Sequence, residues 1–150
     1  MTITRIIKLG TALAAMAVSL ILSASDTKKQ IVDLQAEREK EKNTWENRRA
    51  KAFLAGLKAF RETPGALLLD VREEEDYNAG HIAGSIFVPL QEIPTPVLEA
   101  APDKDTPLFV YCYSGNRSSC AVSLLEDAGY TNVTNIGGIE FYSGELEKSE

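Results

Sequence analysis

The chain reads as an α/β protein built on a parallel sheet. Three observations predict this. Short apolar runs of strand length recur between residues 66 and 136. Segments of helical spacing or composition alternate with them, as in folds whose sheet carries helices on both faces. One strand, Pro107 to Tyr111, ends on Cys112 and passes through a glycine-bearing loop straight into a helix. In such folds ligands bind beyond the carboxyl ends of the strands, which is where Cys112 lies.

At 150 residues the chain holds one domain and an additional piece at its N-terminus. Arg5 and Lys8 precede an apolar run, Leu9 to Leu22, followed by Ser23-Ala24-Ser25. A basic start, a short apolar centre and small residues before a cut describe a secretory signal peptide over 1–25. The run falls short of the ~20 residues that a spanning helix needs, so cleavage is favoured over an anchor in the inner membrane. The expected location is the periplasm. Cleavage would remove Arg5 and Lys8 and take the net charge from −6 to −8. An acidic chain without a basic face is not built for nucleic acid.

Residues 26–49 are dense in charge and high in helix propensity, with a thin apolar series at Ile31, Leu34 and Trp45. Arg38, Glu41 and Arg48 interrupt that face, which makes a poor heptad seam. The segment reads as a solvated helical stalk or linker, with a protein partner or a dimer through it as the alternative. The domain proper is expected over 50–150. Phe53, Leu54, Leu57 and Phe60 sit at helical spacing, and Pro64-Gly65 ends that helix. Strands follow at Ala66–Val71 and Ser85–Val88, with a short helix over Glu73–Asn78 between them. Thr95 is an N-cap candidate with Pro96 at the first helical position. After the Cys112 strand a helix runs over Ser118–Ala128, closed by Gly129. Asn132–Ile136 is a strand, Gly137-Gly138 a turn, and Ile139–Leu146 a last short helix.

The loop after Cys112 carries the chemistry. A cysteine between a strand end and a helix start meets outward-facing backbone N–H groups, and such a nest stabilises an anion. A thiolate is an anion, so its pKa should fall and its reactivity rise. Gly115 allows positive φ, which lets successive amides turn toward one centre. Arg117 adds a positive charge. Four residues (Tyr113, Ser114, Gly115 and Asn116) separate Cys112 from Arg117. Tyrosine-phosphatase loops place five there to wrap a phosphate, so the shorter loop suits one added sulfur atom better. A Cys112–Cys120 disulfide is disfavoured, because Cys120 falls in the following helix, where it is expected to pack in the core. One histidine and no Cys-x-x-Cys leave nothing that reads as a metal site.

At this loop the chain resembles the rhodanese family of sulfurtransferases, whose active loop runs Cys-x-x-Gly-x-Arg/Ser/Thr. Asp70-Val71-Arg72, Asp76-Tyr77 and Gly80-His81-Ile82 match the family's preceding segment. Gly137-Gly138 and Tyr142 match its glycine turn and following aromatic. Ala83, Ser85 and Tyr142 stand where Pro, Ala and Trp are usual, and the charged helix replaces the family's first strand. The resemblance implies a rhodanese-like domain without a cofactor or metal. It makes Cys112 the catalytic nucleophile. Cys112 would take a sulfane sulfur from a small anionic donor such as thiosulfate and pass it, as a persulfide, to cyanide or a thiol. Residues Tyr113, Ser114, Gly115, Asn116, Arg117 and Ser118 would form the substrate-binding loop, with Asp70 and Arg72 supporting it as a polar pair. Arg117 either orients the donor or holds the loop through a carboxylate. His81 fixes a turn, since a preformed thiolate needs no general base. The rival reading is a non-enzymatic sulfur-carrier or protein-binding module on the same fold. A phosphatase is disfavoured by loop length.

Overall fold

The computed structural model describes residues 24–149. The expected leader over residues 1–25 falls outside them save for its last two positions, and no described helix is long and apolar enough to cross a membrane.

Helix α1 spans Ala24–Glu62 without interruption, so the position expected to divide stalk from domain, 49/50, lies inside it. The division between two compact units also falls within this helix, between Trp45 and Glu46. Ile31, Val32, Leu34 and Trp45, in the first unit, are exposed.

In the second unit four parallel strands form one sheet: β1 Leu67–Asp70, β2 Ser85–Phe87, β3 Leu108–Cys112 and β4 Val133–Gly138, in the order β2-β1-β3-β4. Helix α2 (Glu74–Ala79) joins β1 to β2, α3 (Thr95–Ala100) lies before β3, and α4 (Asn116–Asp127) joins β3 to β4. Strand alternation divides the apolar residues between two faces. On one face Leu69, Val71, Leu108, Val110 and Cys112 pack with Val97, Ala121 and Leu125, under α3 and α4. On the other Leu68, Phe109 and Tyr111 pack with Phe53 and Leu57 of α1 and with Ile136 and Ile139. A fully buried side chain of this kind contributes ~1.5–3 kcal/mol. The helices on both faces therefore hold the sheet, and with it the end of β3.

Four local expectations are corrected. Helix α4 starts at Asn116 rather than Ser118, because Gly115 adopts φ +99° and turns the chain at once. Pro94 occupies the cap of α3, and Thr95 is already helical. Gly137-Gly138 closes β4 rather than forming a separate turn. The last helix shrinks to a 3-10 turn, Ile139–Phe141. Beyond it the chain is drawn out. Leu146 lies over the α-carbon of Gly80, and Glu147 pairs with His81 through two backbone hydrogen bonds of 2.9 Å.

Cys120 also departs from expectation. It is exposed, and both cysteines are free thiols. The buried face of α4 is Ser118, Ala121 and Leu125, at i, i+3 and i+7. Cys120 lies off that stripe, and Leu124 beside it is exposed too. Cys120→Ala should therefore change unfolding free energy by no more than ~0.5 kcal/mol, the scale of an ordinary surface change. Urea denaturation checks this, and a loss of ~1 kcal/mol or more would restore Cys120 to the core.

Candidate active site

Cys112 ends β3 with 1% of its surface exposed. The loop behind it curls back over the sulfur. The Gly115 N–H donates to Cys112 Sγ at 3.1 Å, and the Ser118 hydroxyl lies 3.6 Å from it. Burial, the largest influence, pushes the thiol pKa up. The Ser118 N–H and hydroxyl and the N–H groups of Gly115 and Ser114 pull it down and prevail, leaving it below the ordinary cysteine value. Ser118 supplies an N–H because α4 begins at Asn116. That places Ser118 in the first turn, where amides have no partner within the helix.

The loop keeps its shape through contacts with β4. Gly138 runs so close beneath it that an added Cβ would collide with the Tyr113 carbonyl and come within 2.7 Å of Ser114 Cα. The Gly115 α-carbon faces Gly137 and the Arg49 guanidinium. Arg49 reaches there from α1, pairs with Glu140 at 3.6 Å and lies over the Phe141 ring. The Glu140 N–H in turn donates to the Tyr113 carbonyl at 3.2 Å. Neither Arg49 nor Asn135 was expected near the site. Asn135 hydrogen-bonds Ser118, Ser119 and the Gly115 carbonyl. Nothing local in the sequence marks either one, since their nearness arises from helix docking and strand order.

The remaining expected residues divide into two groups. Tyr113 is exposed, Ser114 and Gly115 are half-buried, Asn116 is exposed and Ser118 is fully buried. The Arg117 guanidinium sits 3.4 Å from Glu73 and 3.8 Å from Asp76, tying the loop to α2. Such partly exposed pairs contribute only ~0–1 kcal/mol. Asp70 and Arg72 form the expected polar pair. Asp70 lies opposite Tyr111 in the ladder, on the face away from Cys112. Arg72 grips both Asp70 oxygens at 2.7–3.1 Å and donates to the Gly80 carbonyl at 2.7 Å. Burial works against the Arg72 charge, but Asp70 outweighs it and its pKa stands above the usual value. The pair braces the turn before β2. His81 accompanies it, stacked on Tyr77 with Nδ1 at 3.0 Å from the Tyr77 carbonyl. Among the described residues no group of three His, Cys, Asp or Glu could hold a metal ion.

A buried cysteine whose pKa is lowered by a nest of amides, at the carboxyl end of a parallel strand, defines a nucleophilic-cysteine α/β domain. The rhodanese-like domain family model matches residues 54–145, and the chain belongs to that family. Thiosulfate sulfurtransferase PspE of Escherichia coli (strain K12) is 40% identical over 72 residues, 48% of this chain and 69% of that protein. Thiosulfate sulfurtransferase GlpE of Pseudomonas syringae pv. syringae is 38% identical over 85 residues, 56% of this chain and 77% of that protein. Among solved structures, a rhodanese with anions from E. coli aligns at TM-score 0.53 and 36% identity, over 56% of this chain and 99% of that one. A rhodanese-like domain protein from Staphylococcus aureus aligns at TM-score 0.53 and 28% identity, over 59% of this chain and 86% of that one. The model match starts at residue 54, so Arg49 lies outside it.

Gly138→Ala should deform the loop while leaving the two cores in place. The expected result is a Cys112 that alkylates at least ~10-fold more slowly at neutral pH, the equivalent of one pKa unit. Far-ultraviolet circular dichroism should be unchanged. Wild-type alkylation in this variant would mean that the glycine is not needed for the loop.

Proposed function

We propose that this chain is a thiosulfate sulfurtransferase working through a Cys112 persulfide. The observation that carries the reading is the Cys112 sulfur, on which N–H groups and the Ser118 hydroxyl converge and lower its pKa. Two relatives named for the reaction, which align over more than two thirds of their own lengths, support it. The Cys112 thiolate attacks the outer sulfur of thiosulfate. A new S–S bond forms, the bond to the sulfonate sulfur breaks, and sulfite leaves with that electron pair. The persulfide carries the negative charge onward, and the loop amides stabilise it as they did the thiolate. Cyanide or a thiolate then attacks the terminal sulfur, and the Cys112 thiolate is released. No proton need be taken at the attacking step, in keeping with the absence of His81 from the loop's hydrogen bonds.

Arg117, paired with Glu73 and Asp76, braces the loop rather than gripping the donor. The N-terminal composition supports export, with cleavage before Asp26 and a periplasmic site of action. Residues 26–49 then link the domain to its surroundings, as a solvated stalk or as a surface for a partner or second copy.

Exposure to thiosulfate should add one sulfur atom to the intact mass, located on the Cys112 peptide, and cyanide should remove it as thiocyanate. Cys112→Ser should show neither event while remaining folded. Transfer persisting in that variant would overturn the assignment, and a chain that folds but never gains sulfur would favour a binding module. For export, N-terminal sequencing of protein from a periplasmic fraction should begin at Asp26. Recovery of the intact chain from membranes alone would contradict it.

A further inference from the structure

We propose that Asn135, on β4, is a positioning residue that acts through Ser118 and controls how far that hydroxyl serves the Cys112 sulfur. This deepens the reading of Cys112 as the reactive thiolate. The Ser118 side chain is fully buried, and its Oγ has three acceptors within reach. Asn135 Oδ1 lies at 2.8 Å, the Gly115 carbonyl at 3.0 Å and Cys112 Sγ at 3.6 Å. A hydroxyl has a single proton to donate, so these three compete for it.

The competitors are supplied from elsewhere. The Gly115 carbonyl also accepts from the Ser119 N–H at 3.2 Å, the Ser119 hydroxyl at 3.0 Å and Asn135 Nδ2 at 3.3 Å. Asn135 Oδ1 also accepts the Gly137 N–H at 2.9 Å. The Ser118 proton can therefore turn to the sulfur without leaving either of the other acceptors unpaired. When the sulfur is protonated, the proton returns to Asn135. The partners also fix the amide's orientation. Oδ1 meets the Gly137 N–H while Nδ2 donates to Ser119 Oγ at 2.7 Å, and the flipped amide would set N–H against N–H.

Removing the amide has a definite sign. Asn135 Oδ1 is the nearest of the three acceptors, and the Gly115 carbonyl keeps both Ser119 donors without it. The sulfur then gains a larger share of the Ser118 proton, so the Cys112 pKa falls. An aspartate would hold the proton by a charge-assisted bond and place a like charge near the sulfur, so there the pKa rises.

The test is the pH profile of iodoacetamide alkylation in a Cys120→Ala background, where Cys112 is the one remaining thiol. Asn135→Ala should lower the Cys112 pKa by ~0.5 unit, and Asn135→Asp should raise it. Ser118→Ala should raise it, and adding Asn135→Ala to that variant should move it no further. This coupling separates action through Ser118 from a general loss of packing, which would shift both backgrounds alike. The proposal is overturned if Asn135→Ala leaves the pKa unchanged or raises it, or shifts it equally with and without Ser118. Should Asn135→Ala fail to fold, the nearly isosteric Asn135→Asp decides alone, since an unchanged or lowered pKa there contradicts the proposal. Alkylation needs no turnover, so the result stands apart from whether Cys112 accepts sulfur from thiosulfate.

Discussion

Turning several backbone N–H groups onto one buried sulfur is the constraint that the rest of this domain serves. Burial alone would raise the Cys112 pKa, and the loop's hydrogen bonds reverse that direction. The reversal depends on backbone geometry. Gly115 takes φ +99°, a value that a side chain would strain. Its turn starts α4 at once, which leaves the first-turn amide of Ser118 free to face the sulfur. The positive end of that helix adds to the same effect.

The sheet supplies the support beneath. Strand β4 lies beside β3 because α4 carries the chain to the open side of that strand, as a right-handed crossover does. That neighbour brings Gly138 under Tyr113 and Ser114, and Asn135 beside Ser118. On the far face, Asp70, Arg72 and the Gly80 carbonyl form a buried polar cluster that fixes the approach to β2. Arg117 and the acids of α2 tie the loop to the domain from the outside. The chain thus spends its charged residues on bracing, while neutral donors hold the reactive sulfur.

Much of this was legible in the sequence because it rests on local signals. The alternation of apolar runs and helical stretches specified a parallel sheet covered on both faces. The strand-to-helix position of Cys112, with Gly115 between, foretold the direction of its pKa. What escaped depended on contacts between distant segments. Asn135 and Arg49 have no motif of their own, and only strand order and the docking of α1 bring them to the loop. The pairing of Asp70 with Arg72 was foretold but not its side of the sheet, which follows from register: Asp70 sits opposite Tyr111, and Tyr111 and Cys112 fall on opposite faces. Cys120 was misplaced by counting its apolar neighbours instead of following the i, i+3, i+7 stripe of α4.

The central claim is that the folded loop holds Cys112 as a thiolate. Linkage gives its sign. A depressed pKa means the folded state binds this proton less readily than the unfolded chain. The resulting stabilisation is present above the unfolded cysteine pKa and fades as pH falls through the folded value. The direct measurement is the thiolate ultraviolet absorbance as a function of pH, taken as the difference between wild type and Cys112→Ser. The account predicts a midpoint below ~8.5, the free-cysteine value. A midpoint at or above it would mean that burial prevails over the loop's hydrogen bonds, and would contradict the account.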